Sequence, residues 1–380
     1  MSAMPVFSLL RWMVRQLTRR SSTRAIAVVV ALLLAAIAFD LAVLAWGETP
    51  RSIARQMLEG TWGTAYGSGQ VLFKATSIMI AGVAARIALR AGLFNIGVDG
   101  SIAVAALAVG AVGAVLPPGI SPLLAWPLLA IVGASVGALW ALPVGVLRAR
   151  FGAHEVISGI MLNKIQASLV GYLLTLGLAE HASVHTLPLP AGARLPRLER
   201  VWGLSALHGS SVNLALFVAL GLVLGWSLIA RRTIFGRELA AVCASPSASA
   251  AAGTRVGRLF VLSLALSGAV AGLAALNDVM GYKGYAEEGL STGVGFTGLA
   301  AALLAGESTI GLVVAALFFG TLSQGGLSIN ARVPMEIVDV LVALVIILVA
   351  AGPGIVGFLQ RGARATSRSA LAASPKDDPS

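Results

Sequence analysis

The stretch AGLFNIGVDGSIAVAALAVGAVGAV, residues Ala91 to Val115, opens with Asn95 and Asp99 among glycines and continues as a run apolar enough for hydrocarbon. The run reads as a membrane-crossing helix, and the question is why an amide and an acid stand at its mouth. In one reading Gly92, Gly97 and Gly100 let the backbone bend. Asn95 and Asp99 then face a pathway without exposing unsatisfied backbone to lipid. In the other, a plain cytoplasmic turn places an Asp near a helix N-terminus, where the helix dipole favours it. The sequence leaves both open.

Working outward, the whole chain shares this character. Of its 380 residues 57% are hydrophobic and only 11% charged, against about 25% charged in a soluble domain, and the mean hydropathy is +0.90. The expected fold class is all-α, a polytopic transmembrane helical bundle. The net charge of +11 does not point to nucleic acid, because the arginines stand beside apolar runs, where they orient a membrane protein. A single cysteine, Cys243, excludes an internal disulfide.

A crossing helix needs about 20 apolar residues, and ten segments meet or approach this: 25–46, 71–90, 98–116, 123–147, 156–178, 212–230, 259–277, 296–306, 309–325 and 335–351. The first is too long for a secretory h-region of about 7–15 residues and reads as an uncleaved span. Ten spans put both termini on one side. With the N-terminus inside, 18 Lys and Arg fall inside and 7 outside, with Lys74 and Lys164 within spans. That bias fits the positive-inside rule and an N-in, C-in topology. Residues 1–24 form a basic cytoplasmic segment, 25–357 the membrane domain, and 358–380 a polar, disordered cytoplasmic tail. The proline-bearing loop 179–211 lies outside. The loop 231–258 lies inside, and its alanines around Pro246 fit a short helix at the membrane surface.

GVDGSIAVAALAVG (97–110) and GVGFTGLAAALLAG (293–306) agree at six positions and run in opposite directions in this topology. Inverted repeats with glycine-interrupted helices are a common transporter plan.

The chemistry of catalysis is absent from the sequence. No H-E-x-x-H or G-x-x-x-x-G-K-[ST] occurs. GLSTG (289–293) lacks the strand-turn-helix setting of a nucleophile elbow. His181 and His185, four apart, lie in the outer loop and read as solvated rather than metal-binding. What remains are polar groups in or beside spans, costly in hydrocarbon and so expected to face a cavity or partner. Asn95, Asp99, Asn163 and Asn277 are the pathway candidates. Asp278, Asn330 and Glu336 read as interfacial helix caps.

Taken together, FNIGVDG (94–100), EVISGIMLN (155–163), LSGAVAGLAAL (266–276) and STGVGFTGLAAALLAG (291–306) resemble the permease subunit of ABC importers of the branched-chain amino acid, ribose and nucleoside superfamily, most of all its nucleoside (simple-sugar) branch. The inner loop resembles the family's coupling segment, which docks on the ATPase. Gly236, Arg237, Glu238, Ala241, Val242, Pro246, Ala248, Ala252 and Gly253 are the coupling residues this implies. Ala240, Cys243, Ser245 and Ser249 depart from the usual Arg, Gly, Asn and Ala, and ESTIGL after Gly306 lacks the usual Pro-x-Gly.

The resemblance implies ATP-driven import of a nucleoside or simple sugar by alternating access. The chain would be a transport subunit without its own ATPase site and without a cofactor, with ATP bound by partner subunits. The implied partners are ABC ATPase subunits, a second permease subunit in a heterodimer, an extracytoplasmic substrate-binding protein or lipoprotein, and membrane lipid, with no nucleic acid. The implied location is the bacterial inner membrane. The alternative is an ion-coupled secondary transporter, which would need an intramembrane acid such as Asp99, Glu336 or Asp339 but no ATPase-docking helix.

Overall fold

The computed structural model describes residues 20–181, 183–199, 207 and 209–348. The expected tail 358–380 and residues 1–19 of the expected basic segment lie outside the described residues. Arg20 to Arg24 do not belong to a separate segment, because the first helix already includes them.

Two units divide the chain. One contains helix α1 (Arg20–Ala45) and the helix of residues 335–348, α13. Side chains Leu33, Leu34, Ile37 and Leu41 of α1 are exposed although strongly apolar. The other unit, Arg51–Arg332, carries the rest. Its helices are α2 (Pro50–Thr61), α3 (Ala65–Arg90), α4 (Val98–Ala114), α5 (Pro122–Phe151), α6 (Glu155–Leu173) and α7 (Ala215–Arg232). They are followed by α8 (Ile234–Ala244), α9 (Pro246–Ala251), α10 (Val256–Gly272), α11 (Val294–Ala305) and α12 (Thr309–Ile329). A π-helical turn, Leu174–Leu178, extends α6, and a longer π segment, Leu276–Lys283, follows α10. Among the described residues six helices are long and apolar enough to cross a membrane. α4 and α11 are apolar but shorter.

Within the described residues, each of the ten apolar segments read from the sequence is occupied by a helix. Helix α2 was not anticipated, because its Arg51, Arg55, Gln56 and Glu59 break the apolar pattern. The loop 231–258 contains two helices where one was expected. Ser245, extended at φ −160°, ends α8 and caps α9, its hydroxyl accepting from the Ala248 N–H. Pro246 sits where a missing N–H costs nothing, in the first turn of α9.

Helix α3 is the axis of the second unit. It is buried on nearly every face from Ala75 to Ala88, and it packs against α7, α10, α11 and α12. A helix apolar all round belongs in the interior. Its neighbours approach closely because glycine removes the side chain at the crossings. A Cβ on Gly298 of α11 would strike Ala81 of α3, and one on Gly320 of α12 would meet the Val71 carbonyl of α3.

The closest crossing is between α5 and α10. Gly133 and Gly137 on α5 and Gly268 and Gly272 on α10 are each spaced four apart. A Cβ on any of the four would press on backbone of the opposite helix. Small-xxx-small pairs of this kind drive helix association where lipid removes the hydrophobic effect as a force between helices.

Candidate functional site

Helices α4 and α11 hold the two repeat segments, and their N-termini meet. α4 begins at Gly97 and α11 at Gly293, and neither glycine supplies a side-chain cap of its own. The caps come from elsewhere. Asp99 Oδ1 accepts the Gly295 N–H of α11 at 2.6 Å. Asn163 Oδ1, from α6, accepts the Gly100 N–H of α4 at 3.0 Å, while its Nδ2 donates to the Ile96 carbonyl at 2.9 Å. Unsatisfied N–H groups at two helix starts are thus covered by groups from other elements, as backbone away from water requires.

Beside this junction lies a cavity of about 330 Å³, within the roughly 300–1,000 Å³ of ligand pockets. α4, α6, the loop 287–293 and Phe296 of α11 line it. Asp99, Asn163, Lys164, Gln166, Glu287 and Glu288 bring charge and amide groups to a wall that also includes the apolar Ala103, Leu107, Val170 and Phe296. Two helix N-termini would attract an anion, but Asp99 already caps α11 and Asn163 caps α4, and Glu287 and Glu288 add further negative charge. The cavity therefore offers no free helix N-terminus to an anion, while its acid, amide and lysine groups can both accept and donate hydrogen bonds.

Of the four residues picked from the sequence, Asp99 and Asn163 line the cavity. Asn95 does not. It is buried behind α4, donating to Ser267 Oγ at 2.8 Å, and Ser267 in turn donates to the Ala84 carbonyl at 2.6 Å. This joins the start of α4 to α10 and α3. The bend at 91–97 is a short turn between α3 and α4, and it holds Asn95 inward and Asp99 toward the cavity.

Asn277 sits one layer away from the cavity in a buried polar chain. Its Nδ2 donates to Ser77 Oγ at 2.8 Å and to the Phe73 carbonyl, and its Oδ1 accepts from Asn213 at 2.9 Å. Asp278 extends the chain, accepting from Ser77 at 2.6 Å and from Ser291 at 2.7 Å. Ser291 reaches the cavity wall. Asp278 is therefore not the interfacial cap expected of it. The π segment turns it inward, between α3 and the cavity loop, and position within the apolar run could not reveal that turn. Glu287 and Glu288 went unnoticed because a short loop carries no periodic signal.

The GLSTG segment is a turn leading into α11, with Gly289 and Gly293 at φ +78° and +81°. It carries no nucleophile-elbow geometry. His185 bonds locally and stacks on Tyr285, with ring centroids 4.3 Å apart. Among the described residues no group of three or more His, Cys, Asp or Glu is placed to hold a metal.

A second candidate region lies at the opposite end of α11. Of the coupling candidates, Gly236 and Val242 are buried, packed against the bundle, whereas Arg237, Ala241, Pro246, Ala248, Ala252 and Gly253 are exposed. Gly236 has no room for a side chain, because a Cβ there would press on the Ala230 backbone at the α7–α8 turn. Cys243, on α8, packs against the α3–α4 turn, close to Gly92. The exposed face is small and apolar at its centre, a surface able to sit close against another protein.

Comparison with known proteins gives the same answer over most of the chain. Residues 68–350 match the family described as branched-chain amino acid transport system / permease component. A guanosine ABC transporter permease of Bacillus subtilis (strain 168) is 37% identical over 330 residues, 84% of this chain and 91% of the relative. A nucleoside ABC transporter permease of Lactococcus lactis subsp. cremoris is 32% identical over 340 residues, 88% and 91% of the two chains. A glucose ABC transporter permease of Haloferax volcanii is 29% identical over 309 residues, 77% and 78% of the two chains. No solved structure matches. The chain belongs to the branched-chain amino acid transport system permease family, and it is a multi-pass membrane permease subunit of an ABC importer.

Proposed function

We propose that this permease carries nucleosides, through a pathway that includes the cavity at the α4–α11 junction. The observation that carries the reading is that both helix N-termini are already capped, α11 by the Asp99 carboxylate and α4 by the Asn163 amide. A phosphorylated ligand would meet Asp99 and Glu288 without a free helix dipole to receive it. A ribose and base would meet an acid, an amide and a lysine able to accept and donate hydrogen bonds. The similarity to guanosine and nucleoside permeases over most of the chain supports the same substrate class.

Alongside this we assign α8 and α9 to the cytoplasmic side as the docking element for the ATPase subunits. ATP is bound and hydrolysed by those partners, and the chain itself holds no cofactor. A second permease subunit completes the pathway, and a substrate-binding protein delivers the nucleoside from outside. Docking energy can move the helices only through contacts that differ between the inward and outward states.

The test is uptake of labelled guanosine, guanosine monophosphate and glucose by proteoliposomes containing the assembled importer. Guanosine uptake that requires ATP, with the monophosphate excluded, is the expected result. Glucose preferred over guanosine overturns the substrate assignment. Uptake by this chain alone under an ion gradient overturns the ATPase-docking assignment.

A further inference from the structure

Three arginines gather where α3, α7, α8 and the α11–α12 turn come together. Arg86 donates to the carbonyls of Gly306 at 2.6 Å and Ser308 at 3.2 Å. Arg231 donates to the Glu307 carbonyl at 3.2 Å. Arg90 does more. It pairs with the Glu307 carboxylate at 2.8 Å, and on its other side it reaches the carbonyls of Gly236 and Ala230 at 3.4 and 3.5 Å. The single guanidinium thus joins three elements: the C-terminus of α3, the base of the docking helix α8, and the turn that ends α11.

Helix α11 makes this junction consequential. It is 12 residues long, about 18 Å at a helical rise of 1.5 Å per residue. Its N-terminus is held by Asp99 at the cavity, and its C-cap carbonyl, Gly306, is held by Arg86. A short rigid helix fixed at both ends moves as one body. The Arg90 contacts are unequal: short toward Glu307, long toward α7 and α8. A seat held tightly on one side and loosely on the other can be remade when α8 shifts, which a differential contact between two states requires.

We propose that Arg90 is a positioning residue that locks α11 to the docking helices, so that displacement of α8 reaches the cavity at Asp99 through the body of α11. The proposal rests on the assignment of α8 and α9 as the ATPase-docking element. It adds a specific route from that element to the substrate cavity, and a specific ion pair that keeps the route engaged.

The experiment uses the complete importer in proteoliposomes, with guanosine transported and ATP hydrolysed both measured. Glu307→Gln removes only the ionic side of the junction. Its side chain is 79% exposed, and an exposed ion pair adds little to stability, so the protein folds and assembles. Guanosine transported per ATP should fall at least about fivefold, the lower end of typical coupling between sites, while ATP hydrolysis persists. Arg90→Met should produce the same loss and Arg90→Lys a partial rescue.

A transport-to-ATP ratio unchanged in both Glu307→Gln and Arg90→Met overturns the proposal. Ala248→Glu, on the exposed docking face, serves as the control for the underlying assignment and is read as co-purification of the ATPase. If Ala248→Glu leaves the ATPase bound, the docking assignment itself is wrong. If it releases the ATPase while the Arg90 and Glu307 variants stay coupled, only the route through α11 is wrong.

Discussion

At the scale of single residues, the polar groups of this bundle do different kinds of work, and the distinction lies in what each one touches. Asp99 and Asn163 cap helices that are not their own and still present an edge to the cavity. Asp278 is enclosed, with Ser77, Asn277 and Ser291 all directed at its carboxylate. Its removal leaves the Ser77 and Ser291 hydroxyl donors without this acceptor, and each buried donor so stranded costs roughly 1–3 kcal/mol. Asp278→Ala should therefore lower the thermal unfolding temperature in detergent markedly, whereas Asp278→Asn, which can still accept from Ser77, should lose less. Equal melting temperatures for the two variants would contradict the network. The sequence marked Asp99 and Asn163 through the cost of placing polar groups in hydrocarbon. It could not separate Asn95 from Asp99, four positions apart, because inward and cavity-facing directions were set by a turn whose geometry depends on α10 and α3. Asp278 was misjudged for a related reason: the run 259–277 ends beside it, and only the π segment carries the chain on inside the bundle.

At the scale of elements, hydropathy located the apolar helices among the described residues, because a helix within the bilayer must keep its backbone bonded and its side chains apolar over a fixed length. The two inner-loop helices were half visible: small residues announced helix, but the break at Ser245 depends on a cap whose consequence appears only when α9 turns away. At Ser245, which departs from the family's Asn, the cap itself is kept, since Ser and Asn are equivalent N-caps. Glycine content was visible in the sequence, but the work of each glycine was not. Gly137 and Gly268 face each other across the α5–α10 crossing, each against backbone of the other helix. Gly221 and Gly225 on α7 meet nothing within 4 Å. Gly137→Leu should force the helices apart, costing at least about 1–3 kcal/mol as overpacking does, and should reduce the yield of monodisperse protein. Gly221→Ala should be tolerated and should even gain about 0.5–1 kcal/mol from helix propensity. The pair is compared by size-exclusion profile and melting temperature under one detergent, and a reversed order would refute the crossing.

At the scale of the whole molecule, the decisive quantity is orientation, because it decides which partner meets which face. The basic residues divide 18 to 7 in favour of the side assigned to the termini. Arg86, Arg90 and Arg231 meet at one end of the bundle beside α8. Positive charge is retained on the cytoplasmic side during insertion, so this end should face the cytoplasm, and α8 with it. Cys243 reports on the assignment directly, being the chain's single cysteine and exposed on α8. A membrane-impermeant thiol reagent should leave it unmodified in intact cells and modify it in inverted vesicles stripped of the ATPase. Restoring the ATPase should then slow the reaction, because Cys243 lies beside the small apolar face assigned to docking. Modification in intact cells would place α8 on the outer side and reverse the orientation of every helix. Modification in inverted vesicles at a rate indifferent to the ATPase would keep the orientation and move the docking contact away from α8.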